Sequence, residues 1–261
     1  MKPIAFLGLM IALISSAAFA VEDDVLKQLV PTGKLRVGMA YAPTRTPIFV
    51  AKNASGDFHG VPRDLGIALA ESLGVPAEFV ILATTGELTE ACTAGTIDIG
   101  FMPADEERRR RVDFSPPYFM IESTYLVVGS SDIRTLSEID RQGITVVGMA
   151  GSTTMRAAGR ALKNAKIVPA KTVDEALAMM KAETVQAFAL THDALPPLQK
   201  ELSGSRILDG AFQTTGVAIA VQKDRPAALA YVETFIVAAK ADGTVRRAFD
   251  AAGLNRLAVA P

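Results

Sequence analysis

The sequence has few of the residues on which disulfides and metal sites depend. Its 261 residues include one cysteine, Cys92, two histidines and no tryptophan. A single cysteine forms no internal disulfide, and two histidines with one thiol are too few for a zinc site rich in Cys and His. We therefore expect neither a metal nor a cofactor.

An excess of charge of one sign is also missing. The chain carries 27 Lys plus Arg against 28 Asp plus Glu, for a net charge of −1. Nucleic-acid-binding domains are usually strongly basic or carry a basic stripe, so we expect no nucleic-acid partner. The apolar share of 49% and the charged share of 21% are typical of a folded globular protein.

Familiar catalytic motifs are missing as well. The sequence has no G-x-S-x-G elbow, no H-E-x-x-H helix and no G-x-G-x-x-G loop. The sequence therefore has few of the residues that a hydrolytic triad or a catalytic metal site needs. We assign no catalytic residue from motifs. Chemistry by paired carboxylates stays open, because acidic residues are abundant.

The first 20 residues have the pattern of a secretory signal peptide. Lys2 precedes an apolar run over residues 4–14, and small residues end at Ala18-Phe19-Ala20, an A-x-A cleavage site. The run is shorter than the ~20 apolar residues that a membrane span needs. No cysteine directly follows the cleavage site to carry a lipid anchor. We expect a free periplasmic protein.

From residue 34 onward, short apolar runs alternate with amphipathic stretches of helical length. This alternation predicts α/β units with crossover helices, one over residues 35–101 and one over residues 125–190, separated by a proline-rich break at residues 115–118. The predicted strands are residues 35–40, 77–82, 97–101, 125–128, 144–149, 186–190 and 216–221. The predicted helices are residues 64–73, 87–94, 153–163, 173–182, 194–202 and 226–241.

One arginine in the charged segment 106–111 stands out by its spacing. The segment follows a predicted strand, where open α/β sheets place ligand-binding loops. In a helical turn, the last three arginines have an acid four residues upstream, whereas Arg108 has Ala104 there. Arg108 is thus predicted to offer its planar fork to an anion. A solvated charged turn is the alternative.

Two further strand ends carry polar residues. Gly151, Ser152 and Thr153 open a predicted helix, where free N–H groups and hydroxyls favour an anion, although ordinary N-capping would use the same residues. Thr191-His192-Asp193 follow another strand and could face a ligand. Alternatively, His192 is a surface residue and Asp193 a helix cap.

Six ordered blocks resemble one known family. They are residues 33–38, residues 60–75, residues 95–100, residues 107–118, residues 150–153 and residues 241–244. The most specific block reads Val112-Asp113-Phe114-Ser115-Pro116-Pro117-Tyr118. Together they resemble the periplasmic extracellular solute-binding proteins of the polar amino acid type, family 3, which serve ABC importers.

The resemblance implies an α/β periplasmic binding protein fold of type II. It consists of two lobes, each a mixed sheet flanked by helices, joined by two crossover segments that close on a ligand. We expect the crossings near residues 121–125 and 221–225. Lobe 1 would comprise residues 21–123 with 224–261, and lobe 2 residues 124–223.

The resemblance also implies a ligand site. The family's carboxylate-clamping arginine falls on Arg108, and its helix-start turn falls on residues 151–153. Tyr41 and Phe49 lie where family aromatic residues sandwich the ligand. The complete candidate set is Tyr41, Phe49, Thr85, Arg108, Glu122, Gly151, Ser152, Thr153, Thr191, His192 and Asp193.

Three positions depart from the family pattern. Pro103 replaces a carboxylate-binding Ser or Thr, Thr191 replaces the aspartate that pairs with the ligand ammonium, and Thr85 replaces an aromatic residue. An amino acid ligand therefore has an alternative, a carboxylate without an α-ammonium group.

We expect the substrate-binding component of an ABC importer, a monomer that captures an amino acid or other carboxylate and docks on a membrane permease. One alternative is an enzyme resembling cyclohexadienyl or arogenate dehydratases, with Glu122 or Asp193 as general acid. Another is a sensory or accessory binding module.

Overall fold

A computed structural model describes residues 21–41 and 46–261. The predicted signal peptide lies outside these residues. The strands are β1 Leu35–Ala40, β2 Ala51–Lys52, β3 Phe58–His59, β4 Ala77–Leu82, β5 Ile99–Pro103, β6 Val112–Phe114, β7 Phe119–Val127, β8 Thr145–Met149, β9 Lys166–Ala170, β10 Ala187–Thr191, β11 Arg206–Ile207 and β12 Gln213–Gln222.

The α-helices are α1 Asp23–Leu29, α2 Val61–Leu73, α3 Thr85–Thr93, α4 Glu106–Arg109, α5 Thr153–Ala161, α6 Val173–Lys181, α7 Leu195–Lys200, α8 Pro226–Ala241 and α9 Thr244–Ala251. Short 3-10 turns cover Leu136–Glu138 and His192–Ala194. Within the described ranges, no helix combines the length and apolarity that a membrane crossing requires.

All seven predicted strands and all six predicted helices are present, with ends that differ by at most three residues except at the start of β7, which lies six residues earlier than predicted. The helix α2 begins at Val61 because Gly60, at φ +142°, ends the extended chain and Pro62 suits a first helical turn. Its end at Gly74, at φ +68°, is a left-handed C-cap. Several elements were not predicted, among them α1, β6, β9 and α9.

The main sheet is mixed. Its principal order is β4-β1-β5-β12-β7-β10-β8-β9. At one end β1 is parallel to β4 and β5, and at the other β8 is parallel to β9 and β10. In the middle β12 runs antiparallel to β5 and β7, and β7 runs antiparallel to β10.

The buried side chains fall into two sets that define two units. The first unit has two cores, formed by side chains from residues 25–121 and 217–249. The second unit also has two cores, formed by side chains from residues 125–208. In each unit one core lies on either face of the sheet, which gives the helix–sheet–helix layering of α/β proteins.

Strands β7 and β12 belong to both units. Residues 119–123 of β7 pair with residues 213–217 of β12, whereas residues 123–127 pair with β10 of the second unit. Residues 217–221 of β12 pair with β5 of the first unit. The chain thus passes between the units along two adjacent antiparallel strands. The lobe limits expected from the sequence stay a prediction.

Candidate functional site

A single helical turn after β5 carries Arg108 into the protein. Asp105 begins this turn, and its side chain accepts a hydrogen bond from the Arg108 backbone N–H at 3.0 Å. Arg108 is 2% exposed, whereas Glu106, Glu107 and Arg109 are exposed. The sequence prediction that Arg108 differs from its neighbours is consistent with this burial.

The local ion pairs of this segment differ from those expected. Arg110 does pair with Glu106, at 2.6 Å. Arg111, however, pairs with Glu90 of α3 at 2.6 Å, and the Arg109 guanidinium lies 5.3 Å from the centroid of a phenyl ring. The expected pair of Arg110 with Glu106 is confirmed, whereas the pairs of Arg109 with Asp105 and of Arg111 with Glu107 were wrong, because Asp105 pairs with Arg156 and Arg111 with Glu90 instead.

The Arg108 guanidinium donates to three neutral oxygens. Its Nη1 donates to the Pro103 carbonyl at 2.8 Å, and its Nη2 donates to Thr85 Oγ1 at 2.8 Å and to the Gly151 carbonyl at 3.2 Å. The Pro103 side chain has no hydroxyl, and it is the backbone carbonyl of Pro103 that accepts from Arg108. Gly151 belongs to the second unit, so this side chain bridges the two units.

In residues 21–41 and 46–261, no carboxylate forms an ion pair with the Arg108 guanidinium. Burial, with a smaller effect of the neighbouring Arg156 charge, lowers the pKa of Arg108 to about 10. A buried cation on neutral acceptors is energetically unfavourable compared with one that is paired. An anion at this guanidinium would remove the penalty.

Thr85 and Gly151 reach Arg108 because two helix starts face each other. Thr84 caps α3 by accepting from the Glu87 N–H at 3.1 Å, which leaves Thr85 as the first helical residue. Gly151 adopts φ +70°, and a side chain there would stand 3.9 Å from the Gly86 Cα. The left-handed φ of Gly151 is what favours glycine at this turn.

A second arginine, which the sequence analysis did not single out, joins this cluster. Arg156 of α5 contacts Asp105 Oδ2 at 2.7 Å and Glu107 Oε2 at 2.9 Å through Nε. Its Nη1 donates to the Gly151 carbonyl at 3.0 Å. Arg156 lies one helical turn after Ser152, so it lies on the same side of α5 as Ser152. This spacing is the feature of the sequence from which its place in the cluster could have been predicted. The carboxylates of the first unit are thereby linked to α5 of the second.

The other residues at the start of α5 have distinct roles. Ser152 is the N-cap, and its hydroxyl accepts from the Met155 N–H at 3.0 Å, as the capping alternative predicted. Thr153 is buried, and Thr154 Oγ1 lies 3.0 Å from Ser123 Oγ of β7. The Met155 amide is thus capped, whereas the Thr153 and Thr154 amides have no acceptor within the helix and remain available to an anion.

Three predicted residues lie together at a different place. Glu122, His192 and Asp193 line a cavity of about 320 Å³, together with residues 119–121 and 256–261. Glu122 is exposed, and it alternates along β7 with Ser123, whose side chain points toward α5. Within the part of the chain that the structure describes, no hydrogen bond or ion pair joins these three residues to Arg108.

Asp193 links the two units at this second place. Its Oδ2 accepts a hydrogen bond from Thr46 Oγ1 at 3.4 Å. Burial raises the pKa of the Asp193 carboxyl above its ordinary value, and the Thr191 and Thr46 hydroxyls nearby lower it by smaller amounts. Thr191, which ends β10, is 6% exposed, and its hydroxyl lies beside the Asp193 carboxyl.

The predicted aromatic residues are not brought to Arg108. Tyr41 packs edge-on against Phe58, with ring centroids 5.5 Å apart, and Lys52 Nζ lies 5.6 Å from the Tyr41 centroid. Phe49 is buried in the core of the first unit. Among the residues described, no hydrogen bond, ring contact or cation–π contact joins Tyr41 or Phe49 to Arg108 or Arg156.

Comparison with known proteins identifies related chains. The sequence profile of the bacterial extracellular solute-binding proteins, family 3, matches residues 35–251. A glutamine-binding protein of Geobacillus stearothermophilus is 28% identical over 206 residues, which are 77% of this chain and 77% of that protein. A cyclohexadienyl dehydratase of Pseudomonas aeruginosa is 30% identical over 165 residues, which are 60% of this chain and 59% of the enzyme.

A solved structure shares the fold. It is described as an ancestral amino acid-binding protein, a precursor of cyclohexadienyl dehydratase, and is 28% identical with a TM-score of 0.71. The similarity covers 87% of this chain and 98% of that chain. The two-lobed α/β fold of type II that the sequence predicted is confirmed.

Proposed function

The chain belongs to the bacterial extracellular solute-binding proteins of family 3, and from that premise we propose that it captures a small carboxylate solute between its lobes for an ABC importer. The observation that carries the proposal is Arg108, a buried guanidinium that donates to neutral oxygens of both units. A ligand carboxylate would supply the missing negative charge and accept its N–H groups in pairs.

The contacts between the units support capture by lobe closure. Arg108 reaches Gly151 from the first unit, and Arg156 reaches Asp105 and Glu107 from the second. Opening the lobes breaks these contacts, and a ligand that bridges the same surfaces favours the closed form. We place the second crossing near residues 213–217, because the following residues of β12 pack in the cores of the first unit.

The helix start opposite Arg108 supports the same ligand class. The amides at the beginning of α5 and the positive end of the helix dipole favour a negative group. A carboxylate between Arg108 and this helix start would bind groups from both lobes. Amino acids and other small carboxylates both carry the required group.

The family works outside the cytoplasm, in the periplasm or extracellular space. We propose that residues 1–20 are removed on export, that the mature chain is monomeric, and that its closed form docks on a membrane permease. Mass spectrometry of the exported protein tests the first point, with Val21 expected as the first residue. Light scattering after gel filtration tests the second.

The central experiment compares Arg108→Ala with Arg110→Ala. Arg110 is its matched control, since it lies in the same segment but is exposed and pairs with Glu106. Wild type and both variants are screened by thermal shift against amino acids, keto acids and aromatic acids. A ligand at a hundred times its Kd adds ~2.7 kcal/mol, or roughly 5–10 °C in a chain of this size.

We expect the shift in wild type and in Arg110→Ala, and its loss in Arg108→Ala. If Arg108→Ala retains the full response to every ligand of the wild type, Arg108 does not contact the ligand. The proposal would then be overturned at the residue on which it depends.

An enzymatic function is the second candidate. It is favoured by the dehydratase relative and by Asp193, whose raised pKa suits a general acid. Incubation with prephenate or arogenate, followed by ultraviolet absorbance, tests it. Formation of an aromatic product in wild type that is lost in Asp193→Asn would establish an enzyme. Absence of product supports the binding function.

A further inference from the structure

A polar cavity lies in the first unit, at the end of β5 opposite to Arg108. It has a volume of about 230 Å³, and its walls come from α1, β1, the turn after α3, the end of β12 and the start of α8. Asp98, in its wall, precedes β5, whereas Arg108 follows it, so the five residues of this strand separate the two places by about 16 Å. We call this space the basal cavity. It is distinct from the space between the units.

The side chains that line the basal cavity carry one net positive charge. Arg36 and Arg225 are the bases among them, and Asp98 is the acid. Gln28 and Gln222 add two carboxamides, and the other lining residues are apolar or glycine. A partly buried charge without a counter-charge is unfavourable, so the cavity favours an anion.

The Asp98 carboxylate is fully engaged by Arg36. Its Oδ2 accepts from the Arg36 backbone N–H at 2.7 Å and from Nε at 3.0 Å, and its Oδ1 accepts from Nη2 at 2.5 Å. The Asp98 side chain is 3% exposed. Among the described residues, Arg36 Nη1 has no acceptor. Arg36 and Asp98 thus form a fixed pair that still offers one donor nitrogen.

Arg225 provides the uncompensated charge. Its Nη1 donates to the Gln28 backbone carbonyl at 3.2 Å, and in residues 21–41 and 46–261 no carboxylate forms an ion pair with it. The Gln28 side chain fixes this corner, since its Oε1 accepts from the Ala227 N–H at 2.9 Å and the Ala228 N–H at 3.3 Å. Arg225 is the residue that begins α8, so these contacts hold its backbone in place against α1.

The size and the donors of the basal cavity favour a small oxyanion. Sites for drug-sized molecules have volumes of ~300–1,000 Å³, whereas this cavity is smaller. A guanidinium presents its N–H groups as a planar fork, which suits an anion with several oxygens better than a single halide ion. The positive end of the 16-residue helix α8 adds to the attraction.

We propose that the basal cavity is a second anion site, in which Arg225 and Arg36 bind a small inorganic oxyanion such as phosphate or sulfate. The proposal is independent of the proposed function, because the solute carboxylate at Arg108 and the oxyanion would bind at opposite ends of β5. An oxyanion here would link β1 to the corner between α1 and α8, and so stabilise the first unit.

Binding of inorganic phosphate to the wild-type protein is the first test. Phosphate that binds tumbles with the protein, so its phosphorus NMR signal broadens, and a titration at constant ionic strength gives the Kd. Two charge-assisted contacts predict a Kd of about 1 mM. Sulfate should displace phosphate, and chloride at the same ionic strength should not. Absence of broadening, or equal displacement by chloride, overturns the proposal.

Two arginine variants separate the basal cavity from the space between the units. Arg225→Gln keeps a donor for the Gln28 carbonyl but removes the charge and the fork, and it should raise the Kd for phosphate at least tenfold. Arg108→Ala should leave this Kd unchanged. Loss of phosphate binding in Arg108→Ala would place the ion at Arg108 and overturn the basal site while leaving the proposed function standing.

Arg247→Gln is the control for surface charge. Arg247 of α9 is exposed, belongs to the first unit and does not line the basal cavity. We expect its Kd for phosphate to equal that of the wild type. An equal increase in Arg225→Gln and Arg247→Gln would mean that phosphate responds to the general charge of the surface, and the site would be refuted.

A purely structural role of Arg225 would give a different result. If Arg225 only held α8 against α1, Arg225→Gln would lower the free energy of unfolding without phosphate and leave the Kd unchanged. Phosphate and sulfate also stabilise folded proteins by exclusion from their surfaces, so binding, and not melting temperature, is the readout.

Anomalous diffraction gives a measurement that needs no variant. In crystals of the wild-type protein grown with selenate in place of sulfate, we expect a selenium peak within hydrogen-bond distance of Arg225 and Arg36. Selenium peaks that lie only outside the basal cavity, or no peak at all, would overturn the proposal.

Discussion

Arg108 and Asp193 show how burial of one charged residue can serve binding at the expense of stability. The Arg108 guanidinium lies on neutral oxygens of Pro103, Thr85 and Gly151. Burial lowers its pKa to about 10, and the charges of Asp105 and Glu107 nearby offset this lowering only in part. A residue selected only for stability would be paired or exposed. An anion bound at the guanidinium would supply the negative charge that its neutral acceptors lack.

Asp193 is expected to make stability depend on pH in a defined direction. Because burial raises its pKa, the folded chain holds this proton more tightly than the unfolded chain. Its contribution to the free energy of unfolding is therefore fully present below pH ~4 and is lost as pH rises through the raised pKa. Asp193→Asn removes this dependence and keeps a group that can accept from Thr46.

Urea denaturation at pH 4 and pH 7 measures the effect. Relative to wild type, Asp193→Asn should gain free energy of unfolding between pH 4 and pH 7, because it lacks the proton that the folded wild type loses. Asp209→Asn, at an exposed aspartate, should show no such gain. A gain of the same size in both variants, or none in Asp193→Asn, contradicts the pKa assignment.

At the scale of elements, α4 and α5 are joined by the Arg156 contacts with Asp105 and Glu107. Since these contacts exist only when the two helix starts meet, Arg156→Ala should favour the open form. A partly exposed ion pair of this kind is worth ~1 kcal/mol, so ligand affinity should fall about fivefold. Titration calorimetry with the ligand found by the screen measures the change.

Arg160→Ala is the control for this prediction. Arg160 lies one turn further along α5 and is exposed. Because charge interactions are screened by salt, the difference between the two variants should shrink at 0.5 M NaCl. An equal loss of affinity in both variants would show that the general charge of α5, and not the contact with α4, is responsible.

Element prediction from the sequence succeeded where one pattern dominated. β1 and β4 were placed to the residue, because each is a short, mostly apolar run with one charged residue at its second position and turn residues before it. α1 was missed because it is only seven residues long and begins close to the predicted cleavage site. β9 was missed because it contains Pro169 and is only partly buried, so it lacks the signal of a central strand.

At the scale of the whole molecule, the site depends on pairings that sequence spacing does not reveal. Arg108 was found by a local argument, the lack of an acid four residues upstream. Arg156 and Asp105 are 51 residues apart, and residues 213–217 pair with residues 119–123 across two strands. Such contacts depend on the order of strands in the sheet, in which β12 lies between β5 and β7. Sequence spacing alone does not predict that order.

The adjacent strands β7 and β12 make a hinge motion the expected large-scale response to ligand. They are the segments that link the cores of the two units, so a change in twist near residues 119–123 and 213–217 would open the space between Arg108 and α5. Small-angle X-ray scattering measures this motion. With ligand, residues 21–261 should have a radius of gyration of about 18 Å, the value for a compact chain of this length.

Without ligand, the wild-type radius of gyration should be larger, and Arg156→Ala should enlarge it further because a contact of the closed form is gone. Ligand added to Arg108→Ala should leave the scattering curve unchanged, since the carboxylate is no longer held between the lobes. Identical wild-type curves with and without a ligand that calorimetry shows to bind would mean that binding occurs without closure. The contacts of Arg108 and Arg156 across the units would then be permanent structural links.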